Sequence, residues 1–164
     1  MDLSSRLLRL LRPPHLTIEL VPSPCWGRNV RMIVSPDQWH QIQKVVFDQA
    51  GGKCDVCGSP RDHPPQHSQL HCHEVWSYND WRGMQRLEGF RSLCRFCHEV
   101  KHIGYASTKE RYGSAIAHLA KVNRWSKRAA TQYADACFRT YDRRSRRSWS
   151  QDLTVLYEWL ERTR

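Results

Sequence analysis

Two pairs of cysteines, Cys54 with Cys57 and Cys94 with Cys97, are the side chains best suited to chemistry in this 164-residue chain. Two intervening residues let a tight turn bring both thiolates to one tetrahedral ion, so the four together suit a structural Zn2+. Gly58, just after the first pair, permits that turn. The second pair runs directly into His98 and His102 in the stretch L-C-R-F-C-H-E-V-K-H. If a helix begins near Cys97, residues four apart share a face, and both imidazoles can reach a second metal ion. The alternative places His98 beside the knuckle and His102 on the surface.

Several elements must position these groups. Residues 16–21, L-T-I-E-L-V, alternate between prolines and predict a strand. Ser35-Pro36-Asp37-Gln38 predicts a capped helix carrying Trp39, Ile42 and Val46 at helical spacing and stopped by Gly51-Gly52, which delivers the chain into Cys54. A polar, proline-broken loop with His63 and His67 follows. Leu70 to Trp76 predicts a strand with His71 and His73 on one side and Cys72 on the other. Gln85 to Ser92 predicts its return partner, interrupted by Gly89. The remainder reads as helices: one near 115–123, one capped by Ser126 with Ala130, Tyr133, Cys137 and Tyr141 as its stripe, and one started by Ser148. From Leu153 to Trp159 the residues also alternate, leaving a terminal strand open. The fold class is α+β, organised as 1–15, a leucine and arginine segment; 16–53, strand and helix; 54–106, the zinc module; and 107–164, a basic helical region.

Charge bears on partners. Residues 1–82 carry 9 Lys and Arg against 8 Asp and Glu, whereas residues 83–164 carry 17 against 8. So cationic a half attracts phosphate polymers, and nucleic acid heads the possible partners, with a solvated basic face as the bland alternative. Arg143, Arg144, Arg146 and Arg147 form the densest run and predict either phosphate contacts or a charged linker. Two Cys-x2-Cys pairs point to metal in a reducing compartment, and a cytoplasmic location is expected. No apolar run approaches the roughly 20 residues needed to cross a bilayer, so no membrane partner is expected. Seven tryptophans can fill a core or form part of an interface with a larger complex.

Knuckle, strand pair, second knuckle and C-H-x3-H helix, in this order, resemble the HNH endonuclease superfamily, in particular its subgroup with a four-cysteine structural zinc. The stretches T-I-E-L-V-P, N-V-R, H-E-V-W-S-Y and C-H-E-V-K-H-I-G are also similar to bacterial proteins labelled HNH endonucleases. The resemblance implies a treble-clef ββα-metal module that hydrolyses phosphodiester bonds, with DNA a more natural substrate than RNA. His73 matches the general base. His98 and His102 match helix ligands of a catalytic ion, which would be Mg2+, Mn2+, Ni2+ or Zn2+. Cys72 stands where the family places an aspartate or histidine ligand, and His71 is the spare donor on the strand. Gly89 falls where the family carries an asparagine, with Asn79 the nearest substitute. These departures support a second reading, a non-catalytic zinc module that binds nucleic acid or a protein.

Overall fold

In a computed structural model of the chain, residues 14–60 and 70–162 are described. They form a mixed α+β structure built on a three-stranded sheet in the order β1-β2-β3, where β1 is Leu70–Asn79, β2 is Met84–Cys94 and β3 is Ser150–Asp152. The α-helices, numbered along the chain, are α1 (Pro36–Gln49), α2 (Arg95–Lys101), α3 (Ile103–Ser107), α4 (Tyr112–Asn123), α5 (Lys127–Ser145) and α6 (Thr154–Arg162). Among the described residues no helix is long and apolar enough to cross a membrane. The leucine and arginine residues before position 14, and His63 and His67, lie outside the described residues.

The predicted start of α1 is present in full. Ser35 Oγ accepts from Gln38 N, Gln38 Oε1 accepts from Ser35 N, and Pro36 occupies the first turn. Gly51 and Gly52 both take positive φ after its end, a conformation in which a Cβ would be strained. Ile42 is buried, and Trp39 and Val46 pack with it against Val30, Leu87 and Leu156.

Strands β1 and β2 pair antiparallel from Leu70 opposite Cys94 to Asn79 opposite Met84. Val75 faces Gly89 while Trp76 faces Leu87, so Glu88 is the extra residue of a bulge. Gly89 sits beside it at φ +140°, a region only glycine occupies comfortably. The glycine that interrupts the strand pattern is therefore what lets the strand bend and continue.

Three expectations fail. Residues 16–21 join no sheet: Leu16 and Ile18 are buried, but Leu16 N and O are met by the Asn123 side chain, Ile18 N by Tyr133 Oη and Glu19 N by Lys101 O. The alternation reflects burial against helices, not ladder pairing. Ser148 starts no helix; Ser150–Asp152 instead pair parallel with Met84–Arg86, and Asp152 Oδ1 then accepts from Thr154 N at the head of α6. The alternation from Leu153 to Trp159 therefore marks no strand: α6 takes up Thr154 to Trp159, and the short strand β3 lies just before it. Finally, α5 runs to Ser145 and absorbs Arg143 and Arg144, which the sequence places in a linker.

The main core lies between the cysteine knuckles and α2 to α5. It holds Leu16, Leu93, Val100, Ile103, Leu119 and Ala134. Helix α2 therefore has one face in this core and its histidine face toward β1.

Candidate metal centres

The first centre joins two chain segments. Gly58 N donates to Cys54 O and Cys54 N to Ser59 O, closing the turn that carries Cys54 and Cys57, with Gly58 at φ +73°. Asp55 ties this turn to the end of β2: its N donates to Ser92 O, and its Oδ2 accepts from Ser92 N. Cys94 closes β2, and Cys97 lies one turn into α2. The four Sγ atoms fall within 4.8 Å of one another, with Cys57 and Cys94 at 3.6 Å. Cys54, Cys94 and Cys97 are buried and Cys57 is exposed. Hydrogen bonds from Cys94 and Cys97 hold the Cys54 thiol well below its usual range, and the same bonds to Cys54 push the Cys94 and Cys97 thiols up, so Cys54 is the group held as thiolate, the form that binds metal. Four soft ligands at this spacing can hold one metal ion, and their chemistry fits zinc. His118 adds a contact absent from the sequence reading, with Nε2 3.2 Å from Cys97 Sγ.

The second centre is built from β1, α2 and His102, the residue that caps the end of α2. One ring nitrogen each from His73, His98 and His102 lies within 4.8 Å of the others. Nitrogens bound tetrahedrally to one zinc ion by bonds of ~2.1 Å lie about 3.4 Å apart, so sharing an ion requires the rings to turn inward. His71 stacks on His98 with centroids 4.6 Å apart and planes 8° from parallel, placing a fourth imidazole beside the three. Burial lowers the pKa of His98 to about 2 and that of His102 to about 4, with help from neighbouring histidines. Both rings are therefore neutral near pH 7 and offer lone pairs.

His73 is only 4% exposed and contacts Glu19 through Nε2, 2.8 Å from Oε2. Burial would raise the Glu19 pKa, but the bond to His73 and the Lys101 charge outweigh it and bring the value to about 2. An ionised carboxylate only accepts, so Nε2 is the donor, and in the neutral ring Nδ1 carries the lone pair. Lys101, 3% exposed, completes the group with an ion pair to Glu19 and a 2.6 Å hydrogen bond to Thr17 Oγ1. No protein-family model matches this chain, and neither a curated protein nor a solved structure matches it.

Several sequence candidates fall elsewhere. Cys72 points to the opposite side of β1 and packs in the cluster around Val30 and Leu156, where burial and the Glu74 charge push its thiol up to about 12. It is not among the grouped ligand atoms. Asn79 caps the hairpin turn, its Oδ1 accepting from Trp81 N and Arg82 N. Arg144 makes two hydrogen bonds to the Asp80 carboxylate, at 2.8 and 2.7 Å, and Arg147 bonds Asp80 O. These two arginines brace the β1–β2 turn, and no hydrogen bond or ion pair engages the Arg143 or Arg146 side chain among the described residues.

Glu19 and Lys101 escape a sequence reading because their partnership spans 82 positions. The available signals are slight: an acid inside an apolar run, and a lysine between two histidines of a helix face.

Proposed function

We propose that this chain is a metal-dependent, HNH-type endonuclease that hydrolyses phosphodiester bonds in DNA. The observation that carries the reading is the convergence of His73, His98 and His102 within 4.8 Å, with His98 next in sequence to Cys97 of the four-cysteine cluster. The succession of knuckle, hairpin, second knuckle and helix supports a treble-clef module of the ββα-metal kind, with zinc on the cysteines as its structural ion.

His98 and His102 would hold the catalytic ion, and His71 is the nearest further donor. When bound, such an ion polarises a phosphoryl oxygen and stabilises charge on the departing oxygen. His73 acts as general base, taking a proton from water at Nδ1. Glu19 fixes the ring by accepting from Nε2 and stabilises the imidazolium that forms. Lys101 keeps Glu19 ionised and in place. Arg143 and Arg146 are available for phosphates.

The test is nicking of supercoiled plasmid by the purified chain with Mg2+, Mn2+, Ni2+ or Zn2+. His98→Ala is expected to abolish cleavage, and His73→Ala to lower the rate by about 10²–10⁴-fold, the usual worth of a positioned base. Undiminished cleavage by both variants contradicts the assignment.

One pair of observations favours a second reading. Cys72 is packed away from the imidazoles, and the bulge glycine Gly89 offers no side chain where the resembled family has an asparagine. On that reading the module is a zinc-braced binder of nucleic acid or protein, and no ion supports nicking.

A further inference from the structure

A cleft of about 570 Å3 is lined by the histidine cluster and also by Trp26, Arg28 and Arg31. Trp26 is 64% exposed, yet its ring is fixed. Nε1 donates to Val21 O at 2.8 Å, and the indole stacks on Tyr141 with centroids 6.5 Å apart and planes at 20°. A single exposed aromatic residue is unremarkable on a protein surface. This one is held at two points and left open toward a cleft.

The following turn is equally well anchored. Glu74 on β1 accepts from Val30 N at 2.8 Å, and Asn29 Oδ1 accepts from Met32 N, which shapes the single 3-10 turn Val30–Met32. Arg28 Nη1 donates to Trp149 O. Arg31 is exposed, and its guanidinium has no partner among the described residues. A rigid aromatic ring followed by two arginines offers a π-face and two phosphate contacts, the parts of a stacking platform for single strands.

We propose that this wall receives an unpaired nucleotide, with its base on Trp26 and adjoining phosphates on Arg28 and Arg31, so that the histidine site works on strands containing an unstacked base. The proposal rests on the endonuclease reading for the cutting step but not for binding. A base inside an intact duplex has both faces covered and cannot stack on the indole; single strands, gaps and flaps present one freely.

Binding is read by fluorescence anisotropy on the zinc-loaded full chain carrying His98→Ala, so that no cutting intervenes. The probes are a labelled 12-nucleotide single strand, its intact duplex, and a duplex with a three-nucleotide gap. The single strand and the gapped duplex are expected to bind more tightly than the intact duplex. Trp26→Ala should weaken both by at least about fivefold, and Trp26→Phe should restore most of the loss. Arg31→Ala should lower the slope of log affinity against log salt for the single strand by about 0.7. Equal affinities with and without Trp26, tighter binding of the intact duplex, or binding of no oligonucleotide overturns the proposal; the last result fits a protein ligand instead. Trp26-dependent strand binding, together with no cleavage by the unsubstituted chain with any of the four ions, supports the subsite while removing the hydrolytic reading. Cleavage that is indifferent to Trp26→Ala, together with unchanged binding, removes the subsite alone.

Discussion

Glu19 ties two buried groups of opposite need. It accepts from His73 Nε2, and it is the counter-charge of Lys101, whose side chain is buried and whose ammonium also donates to Thr17 Oγ1. Removing one partner of a buried pair costs about 3–5 kcal/mol, because the remaining charge is left without compensation. Glu19→Gln should therefore destabilise the chain by about that amount in urea unfolding, even though the amide oxygen can still accept from His73. Adding Lys101→Met, which removes the stranded charge and keeps an apolar stem, should recover most of the loss. A double variant no more stable than Glu19→Gln would show that the pair is not coupled through charge. At this scale the cysteine and histidine spacings were legible in the sequence, since each is a local motif. Glu19, Lys101 and His118 were not, because what defines them is a partner from a distant segment.

Among the elements, the capped α1 was readable because every signal sits within four residues of its start. The 16–21 segment was misread because alternation reports which side chains are buried, whereas a strand also needs a neighbour for its backbone. Gly89 was read as a flaw in β2 and is the residue that makes its bulge possible. Gly83 is a second such position. It has φ +61°, and a Cβ there would stand 3.2 Å from Ser148 O and 3.3 Å from an Arg147 nitrogen. It also accepts from Ser150 N at the point where β3 meets β2. Gly83→Ala should cost about 1–3 kcal/mol from the strained φ alone and loosen the attachment of β3. Hydrogen exchange at Ser150 to Asp152 should rise by about 5–100-fold; unchanged protection there would contradict the role given to this turn.

Taken whole, the molecule places its two clusters of metal-binding side chains on either side of one short helix. Cys97 and His98 are neighbours in sequence, yet the turn of α2 sends one toward the knuckles and the other toward β1. An ion on the cysteines would therefore fix the helix whose opposite face must aim imidazoles at the cleft. The basic second half was evident from composition, but its densest arginine run proved partly structural, since Arg144 and Arg147 are committed to the β1–β2 turn. Only folding could reveal that division, because Asp80 is 64 residues from Arg144.

On this reading His98 and His102 share a second ion beside His73 of β1. Anomalous diffraction at metal absorption edges, from crystals of the chain soaked in Mn2+ or Zn2+, addresses it directly. Two peaks are predicted, one among Cys54, Cys57, Cys94 and Cys97 and one against His98 and His102. A single peak at the cysteines, with the histidine rings turned apart, would contradict the account.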